Sequence, residues 1–289
     1  LLFALAAAGC APYPEPPGIF DTDQYYFAED DREVWVGDFM DVAYLVIDGN
    51  AAAGLPAVGD VTVRVDGPPG EARFSIRPWA RAPSRQAAQE LWDEMGLWAF
   101  PIDPPHATDY DAYRCEGEWD QTCIARVDGD QDGGAHLTVT LPANWNGRLE
   151  VRHEGRIPTD DLAGAERIPN IEATGLNSSL EVEADAHMSF SLSKLSAERE
   201  IVVHGERGST IDLTAPAQLQ GVASLSTSKP CKISLDCAQF GECTFEDATQ
   251  PELTATLNES GQAPFDAMIY LSADCDEKID GPVVQLRGE

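Results

Sequence analysis

From Glu33 onward the hydrophobic and polar positions fall into short runs of period two. EVWVGDF, DVAYLVIDG, DVTVRVDG and EARFSIRP are β-branched and aromatic stretches parted by Asp, Gly and Pro, a pattern that predicts strands joined by turns. DVTVRVDG alternates without a break, as a strand with one buried face should. One stretch has a helical period instead. Pro83 and Ser84 supply a start, and Ala88, Leu91, Trp92 and Met95 fall on one face before Gly96, predicting a helix over 84–96. The Pro- and Asp-rich stretch FPIDPPHATDYDAY that follows has neither period.

Beyond Gly147 the texture changes. The triplets Ile171-Glu172-Ala173, Leu180-Glu181-Val182, Ser189-Phe190-Ser191, Ile201-Val202-Val203, Ile211-Asp212-Leu213, Ala223-Ser224-Leu225 and Ile233-Ser234-Leu235 have centres 9 to 12 residues apart. Taken two at a time, most steps are close to 22, which suits a coil with two short strands that buries its apolar stripe only when neighbours stack. An antiparallel meander or sandwich also spaces strands this way. Connecting pieces such as HGERGST and APAQLQG lack the Asn-Gly or Asp-Gly of a tight hairpin, which favours the solenoid. The expected fold is therefore all-β: a β-sandwich-like domain over 31–147 with one inserted helix, then a short β-solenoid over 148–289 ending in a Cys-rich segment, with the meander as alternative.

The opening residues, LLFALAAAGCAPYPEPPG, carry no charge before Cys10 and four prolines after it. Residues 1–9 read as the apolar part of a secretory signal, too short at about 1.5 Å per residue to span a bilayer. Residues 10–30 read as an attachment point and an extended tether. Ala7-Ala8-Gly9-Cys10 resembles the lipobox of bacterial lipoproteins. That resemblance implies cleavage before Cys10, acylation of its thiol and amino group, and anchoring in the envelope, with Ala11 in place of an inner-membrane Asp signal favouring the outer membrane. More than one acyl chain is needed for firm attachment. The stretch LTVTLPANWNGRLEV and the short strands after it, over 137–236, resemble auto-transporter adhesin head-domain-like modules. Those are β-solenoids of exported proteins, and the resemblance brings no catalytic residues with it.

Charge and cysteine content narrow the picture further. The 50 acidic and 19 basic side chains leave a net charge of −31, a field that repels phosphate backbones and excludes nucleic acid as a partner. Of seven Cys, assigning Cys10 to lipid leaves Cys115, Cys123, Cys231, Cys237, Cys243 and Cys275 for disulfides in an oxidising compartment. Proximity favours Cys115 with Cys123 and pairing of the other four within the C-terminal half. The five-residue gaps in CKISLDCAQFGEC do not suit zinc.

One stretch has metal-ligand spacing. In VDGDQDGG, Asp128, Asp130 and Asp132 alternate before Gly133, like the first half of a calcium loop, but Val139 stands where an EF-hand needs a bidentate Glu and the flanks read as strands. Weak calcium binding in a β-hairpin loop is one expectation, and a solvated turn is the plain alternative. No nucleophile elbow, zincin motif, phosphate loop or dinucleotide fingerprint occurs, and His106, His136, His153, His187 and His204 are scattered. The sequence thus points to a lipid-anchored envelope protein acting without catalysis in adhesion, scaffolding or binding of a protein or carbohydrate ligand. An exported polysaccharide hydrolase and a calcium-stabilised structural module are the alternatives.

Overall fold

The computed structural model describes residues 24–40, 42–49, 57–101, 122–128, 133–159, 165–193, 198–206, 208–228, 231–247, 252–258, 266–274 and 282–289. The chain enters through β1 (Gln24–Phe27), β2 (Arg32–Asp38) and β3 (Tyr44–Asp48), then β4 (Ala57–Gly67), β5 (Glu71–Ala82), α1 (Arg85–Glu94) and β6 (Gly96–Pro101). Next come β7 (Thr122–Asp128), β8 (Gly133–Pro142), β9 (Arg148–His153) and the short pair β10 (Ile157–Pro158) and β11 (Glu166–Arg167). The regular part runs β12 (Asn170–Leu176), β13 (Ser179–Ala184), β14 (His187–Leu192), β15 (Arg199–Gly205), β16 (Thr210–Ala215), β17 (Gly221–Thr227) and β18 (Lys232–Leu235). It closes with β19 (Cys243–Asp247), β20 (Glu252–Leu257), β21 (Ala267–Ala273) and β22 (Pro282–Gly288). The fold is all-β, with a single α-helix among the described residues.

Strands β12 to β18 alternate between two sheets, and each pairs in parallel with the strand of its own sheet in a neighbouring coil. This is the solenoid arrangement that the period near 22 predicts. Alternation explains it: in β13, β14 and β16 every second residue is buried. Stacking coils then aligns these residues in columns. Across one sheet run Ile76, Leu137, Val61, Ile171, Met188, Ile211, Val284 and Ile233, all buried. Across the other run Leu45, Leu149, Leu180, Ile201, Ile269 and Ala223. The two sets belong to one hydrophobic core, in which full burial of each Leu or Ile contributes about 1.5–3 kcal/mol.

Both sheets continue into the N-terminal segment. Strand β3 pairs in parallel with β9, and β4 with β12, so Leu45 extends the column through Leu149 and Val61 the column through Ile171. The sandwich-like stretch and the repeat stretch are thus built on the same pair of sheets, and the expected boundary after residue 147 falls between β8 and β9.

Stacking order departs from chain order at both ends. The first coil, β3 with β4, lies between the coil of β7 and β8 and that of β9 and β12. The last, β21 with β22, lies between the coil of β15 and β16 and that of β17 and β18. Antiparallel strands cover three of the four outermost parallel ones: β5 on β8, with β1 and β2 on β5, then β6 on β7 and β20 on β17, with β19 on β20, while β18 ends its sheet among the described residues. Covering an edge removes the unpaired N–H and C=O groups that invite aggregation.

The helix is shorter than the 84–96 expected. Ser84 caps it, accepting from the Ala87 N–H at 3.2 Å, and Met95 is already extended because Gly96 opens β6. Ala88 and Trp92 are its buried face, and it packs on β5.

Candidate functional site

Three turns meet at one end of the first coils. Residues 39–40 and 42–43 follow β2, residues 68–70 join β4 to β5, and 143–147 join β8 to β9. Backbone bonds hold them together: Phe39 N–H to Gly70 O at 2.9 Å, Ala143 N–H to Gly67 O at 3.1 Å and Arg148 N–H to Ala43 O at 2.7 Å. The buried Trp145 indole donates to Val42 O at 2.6 Å, tying the third turn to the first. Beneath lies an aromatic layer in which the Phe39 ring meets Trp35, Phe74 and Trp145 at centroid distances of 6.2 to 6.3 Å. Two glycines are required here. Gly70 has φ +77°, and a Cβ on Gly147 would lie 2.4 Å from Ala43 O and 2.6 Å from the Trp145 ring.

The result is a depression of about 270 Å³ open to solvent, with Phe39 and Trp145 in its lining, Met40, Asn144 and Asn146 exposed around it, and Gly70 beside them. Met40 is 74% exposed, the most of any large apolar side chain among the described residues. Among the described residues the lining holds no charged side chain, on a chain of net charge −31. The Asn144 and Asn146 amides are without side-chain hydrogen bonds among the described residues, so each offers two donors and an acceptor outward.

A second depression, of about 320 Å³, lies between the turn after β1, the start of β2, β5 and α1. Its cations are engaged: Arg32 donates to Trp92 O at 3.0 Å and to Met95 O, closing the helix C-terminus, while Arg85 pairs with Glu29 at 2.7 Å and sits 5.8 Å from the Trp92 ring centroid. It reads as a clamp on α1.

A third cluster joins β4 to the segment before β12. Burial alone would raise the Asp60 carboxyl, but the His136 ring 3.1 Å away and hydrogen bonds from Arg167 and the Asn170 N–H outweigh it and hold the group well below the usual carboxylate range. Arg167 reaches both carboxylate oxygens, at 2.8 and 2.6 Å, and Asn170 N–H lies 2.7 Å away. Nearby, burial pushes the His153 imidazole down, opposed by its hydrogen bonds to Val58 O and Gly59 O at 2.8 and 3.1 Å. A carboxylate so fully occupied is a structural tie, with no lone pair directed at a ligand.

The residues expected from sequence are placed elsewhere. Cys10, Cys115, Cys275, Asp130, Asp132 and His106 lie outside the described residues, and Asp128 and Cys123 are positions of β7. Gly133 opens β8, so the aspartate run joins two strands. No three His, Cys, Asp or Glu side chains among the described residues are grouped to hold a metal. Cys237 and Cys243 form a disulfide with a Cα separation of 5.5 Å, and Cys231 is disulfide-bonded to a cysteine outside this pair. His187 and His204 lie on strands, facing Thr210 and Ser272 of neighbouring coils at 3.0 and 2.9 Å. Sequence reasoning missed the three-turn depression. Its one local signal was the pair of amides flanking Trp145 in ANWNG.

No protein-family model matches this chain, and no curated protein matches it. Among solved structures it is similar to a candidate cell adhesion protein from Clostridium sporogenes ATCC 15579, with a TM-score of 0.50, 7% identity, and coverage of 90% of this chain and 100% of that one. At such identity the likeness is one of fold alone. No helix among the described residues is long and apolar enough to cross a membrane.

Proposed function

We propose that the chain is an exported envelope protein, held at the outer membrane by lipid on Cys10, that works without catalysis by adhering to or binding a ligand. The observation that carries this reading is the open depression built by three turns on a stacked solenoid, since coils with ligand-facing turns are a common binding architecture. The fold shared with a candidate cell adhesion protein supports it. So do the apolar run and small residues before Cys10.

Two experiments test the proposal. Intact mass of the membrane-extracted protein should carry the added mass of acyl chains on Cys10, and Cys10→Ala should release it to the soluble fraction; an unmodified mass in a soluble protein overturns the anchor. Beads coated with the purified chain should be retained on cells or extracellular matrix above beads coated with the unfolded chain. Equal retention overturns the adhesive role. Calcium at Asp128, Asp130 and Asp132 belongs to the same proposal as a stabilising ion: chelator should lower the melting temperature, and Asp130→Ala should abolish that response.

A further inference from the structure

We propose that the slot between the coil of β15 and β16 and the coil of β17 and β18 takes the β21–β22 coil of a second copy of this chain, so that two chains join by exchanging their last coils.

The two walls of the slot are coils that follow one another in sequence, and they match each other as well as they match what lies between them. Ile201 and Ala223 share a partner in Ile269 of β21, and Val203 and Leu225 share Leu271. In the other sheet Ile211 and Ile233 share Val284 of β22, and Leu213 and Leu235 share Leu286. The members of every such pair stand 22 residues apart, the period of the repeat itself. With β21 and β22 withdrawn, the walls can therefore close in parallel with the inward and outward alternation kept, as β13 closes on β15 and β14 on β16. The connection permits it: five residues, 216–220, join β16 to β17, and six, 193–198, join β14 to β15, which lie in adjacent coils. Closing the slot leaves no cavity behind, and so avoids a large part of the cost of withdrawing buried side chains.

The fit of the slot selects its occupant. Gly221 makes room for one neighbour, since a Cβ there would lie 2.3 Å from Ala267 O. Thr227 Oγ1 donates to Ala273 O at 2.9 Å, and Gln220 N–H to the Asp266 carboxylate at 3.1 Å. On the opposite wall Asp274 N–H donates to Gly205 O and Glu289 N–H to Ala215 O, both at 2.9 Å, and Arg287 pairs with Asp212. A second copy carries the same residues in the same register, so its coil seats as well as the chain's own. In dilute solution the chain's own coil holds the slot, because a tethered segment reaches an effective concentration on the order of 1 mM. Exchange needs copies about that concentrated, such as copies crowded on one surface.

The Asp212–Arg287 pair provides the test. Asp212→Arg places two cations across the seam within its own chain, and Arg287→Asp places two anions there. When these two variants exchange coils, both seams again join opposite charges. The parent, each variant alone, the two variants mixed, and the chain carrying both substitutions are refolded from urea at about 1 mM and sized by light scattering and native mass spectrometry. Each sample is run with disulfides intact and reduced, since Cys231, which precedes β18, is disulfide-bonded. The mixture should hold at least about tenfold more dimer than the parent, with one chain of each kind, and the doubly substituted chain should return to the parent level. The mixed dimer should also melt above either variant alone. Single variants that fail to fold alone should still yield folded mixed dimer together. No excess of mixed dimer over parent in either redox state, dimer as abundant in one variant alone as in the mixture, or a mixture that stays unfolded overturns the exchange.

Discussion

Asn258 shows how one side chain can hold the C-terminal end of this molecule together. Its backbone is left-handed, φ +48°, a conformation Asn tolerates better than most residues. Its amide donates to Ala217 O at 2.7 Å and Leu219 O at 2.8 Å and accepts from Glu242 N–H at 2.8 Å, so it ties two other segments to its own. Asn258→Ala should lose these bonds and add left-handed strain, about 2–4 kcal/mol together. Asn258→Gly keeps the backbone relaxed and should recover about 1 kcal/mol of the loss in denaturant unfolding. Asp60 acts through charge instead. Its folded carboxyl lies below the ordinary value of about 4, so its stabilising contribution is complete above that value and is lost as pH falls through the folded one. Asp60→Asn should therefore cost about 2 kcal/mol at pH 7, and the gap between parent and variant should narrow as pH drops below about 4. His153 has the same sign in a different window. Held neutral by burial, it weakens the fold as pH falls below about 6.5, where the unfolded chain takes up a proton that the folded one refuses.

Among the elements, the coils were legible and their order was not. Ile171 and Ile211 recur because both must fill the column of one sheet, Leu180 and Ile201 because both must fill the column of the other, and a period records that. A period cannot say which coil lies on which. Ala267, Ile269, Leu271 and Ala273 present the same small and branched pattern to β15 on one side and β17 on the other, so nothing in the strand itself discloses that it enters between them. The depression was hidden for a related reason: Phe39, Gly70 and Trp145 come from distant segments, and only the folded backbone brings them together. The insertion of the last coil makes a sharp comparison possible. Ile269 on inserted β21 is fully buried between two coils, whereas Ile233 on β18 lies at the edge of its sheet and retains 6% exposure. Ile269→Ala should cost about 3–4 kcal/mol and Ile233→Ala about 2. A solenoid stacked in plain chain order, with β21 and β22 outermost, would give the reverse ranking in urea melts.

At the scale of the whole molecule the dominant feature is charge. With 50 acidic and 19 basic side chains, like-charged pairs outnumber opposite-charged ones, and folding draws them closer together. The ion pairs that oppose this are partly solvated: Arg148 with Glu181 and Arg287 with Asp212 join neighbouring strands, but each side chain is more than a third exposed, so each pair contributes little, typically about 0–1 kcal/mol. Screening should therefore relieve more repulsion than it removes attraction. The melting temperature should rise by several degrees as NaCl goes from about 10 mM to about 300 mM, where the Debye length shrinks from roughly 30 Å to below 10 Å, and should level off beyond that. At matched ionic strength MgCl2 should do more than NaCl, since a divalent ion neutralises close carboxylates more effectively. A melting temperature that falls with NaCl would mean that the few cross-strand pairs outweigh the net field, and the distribution of acidic residues would then have to be read as mutual support across the coils.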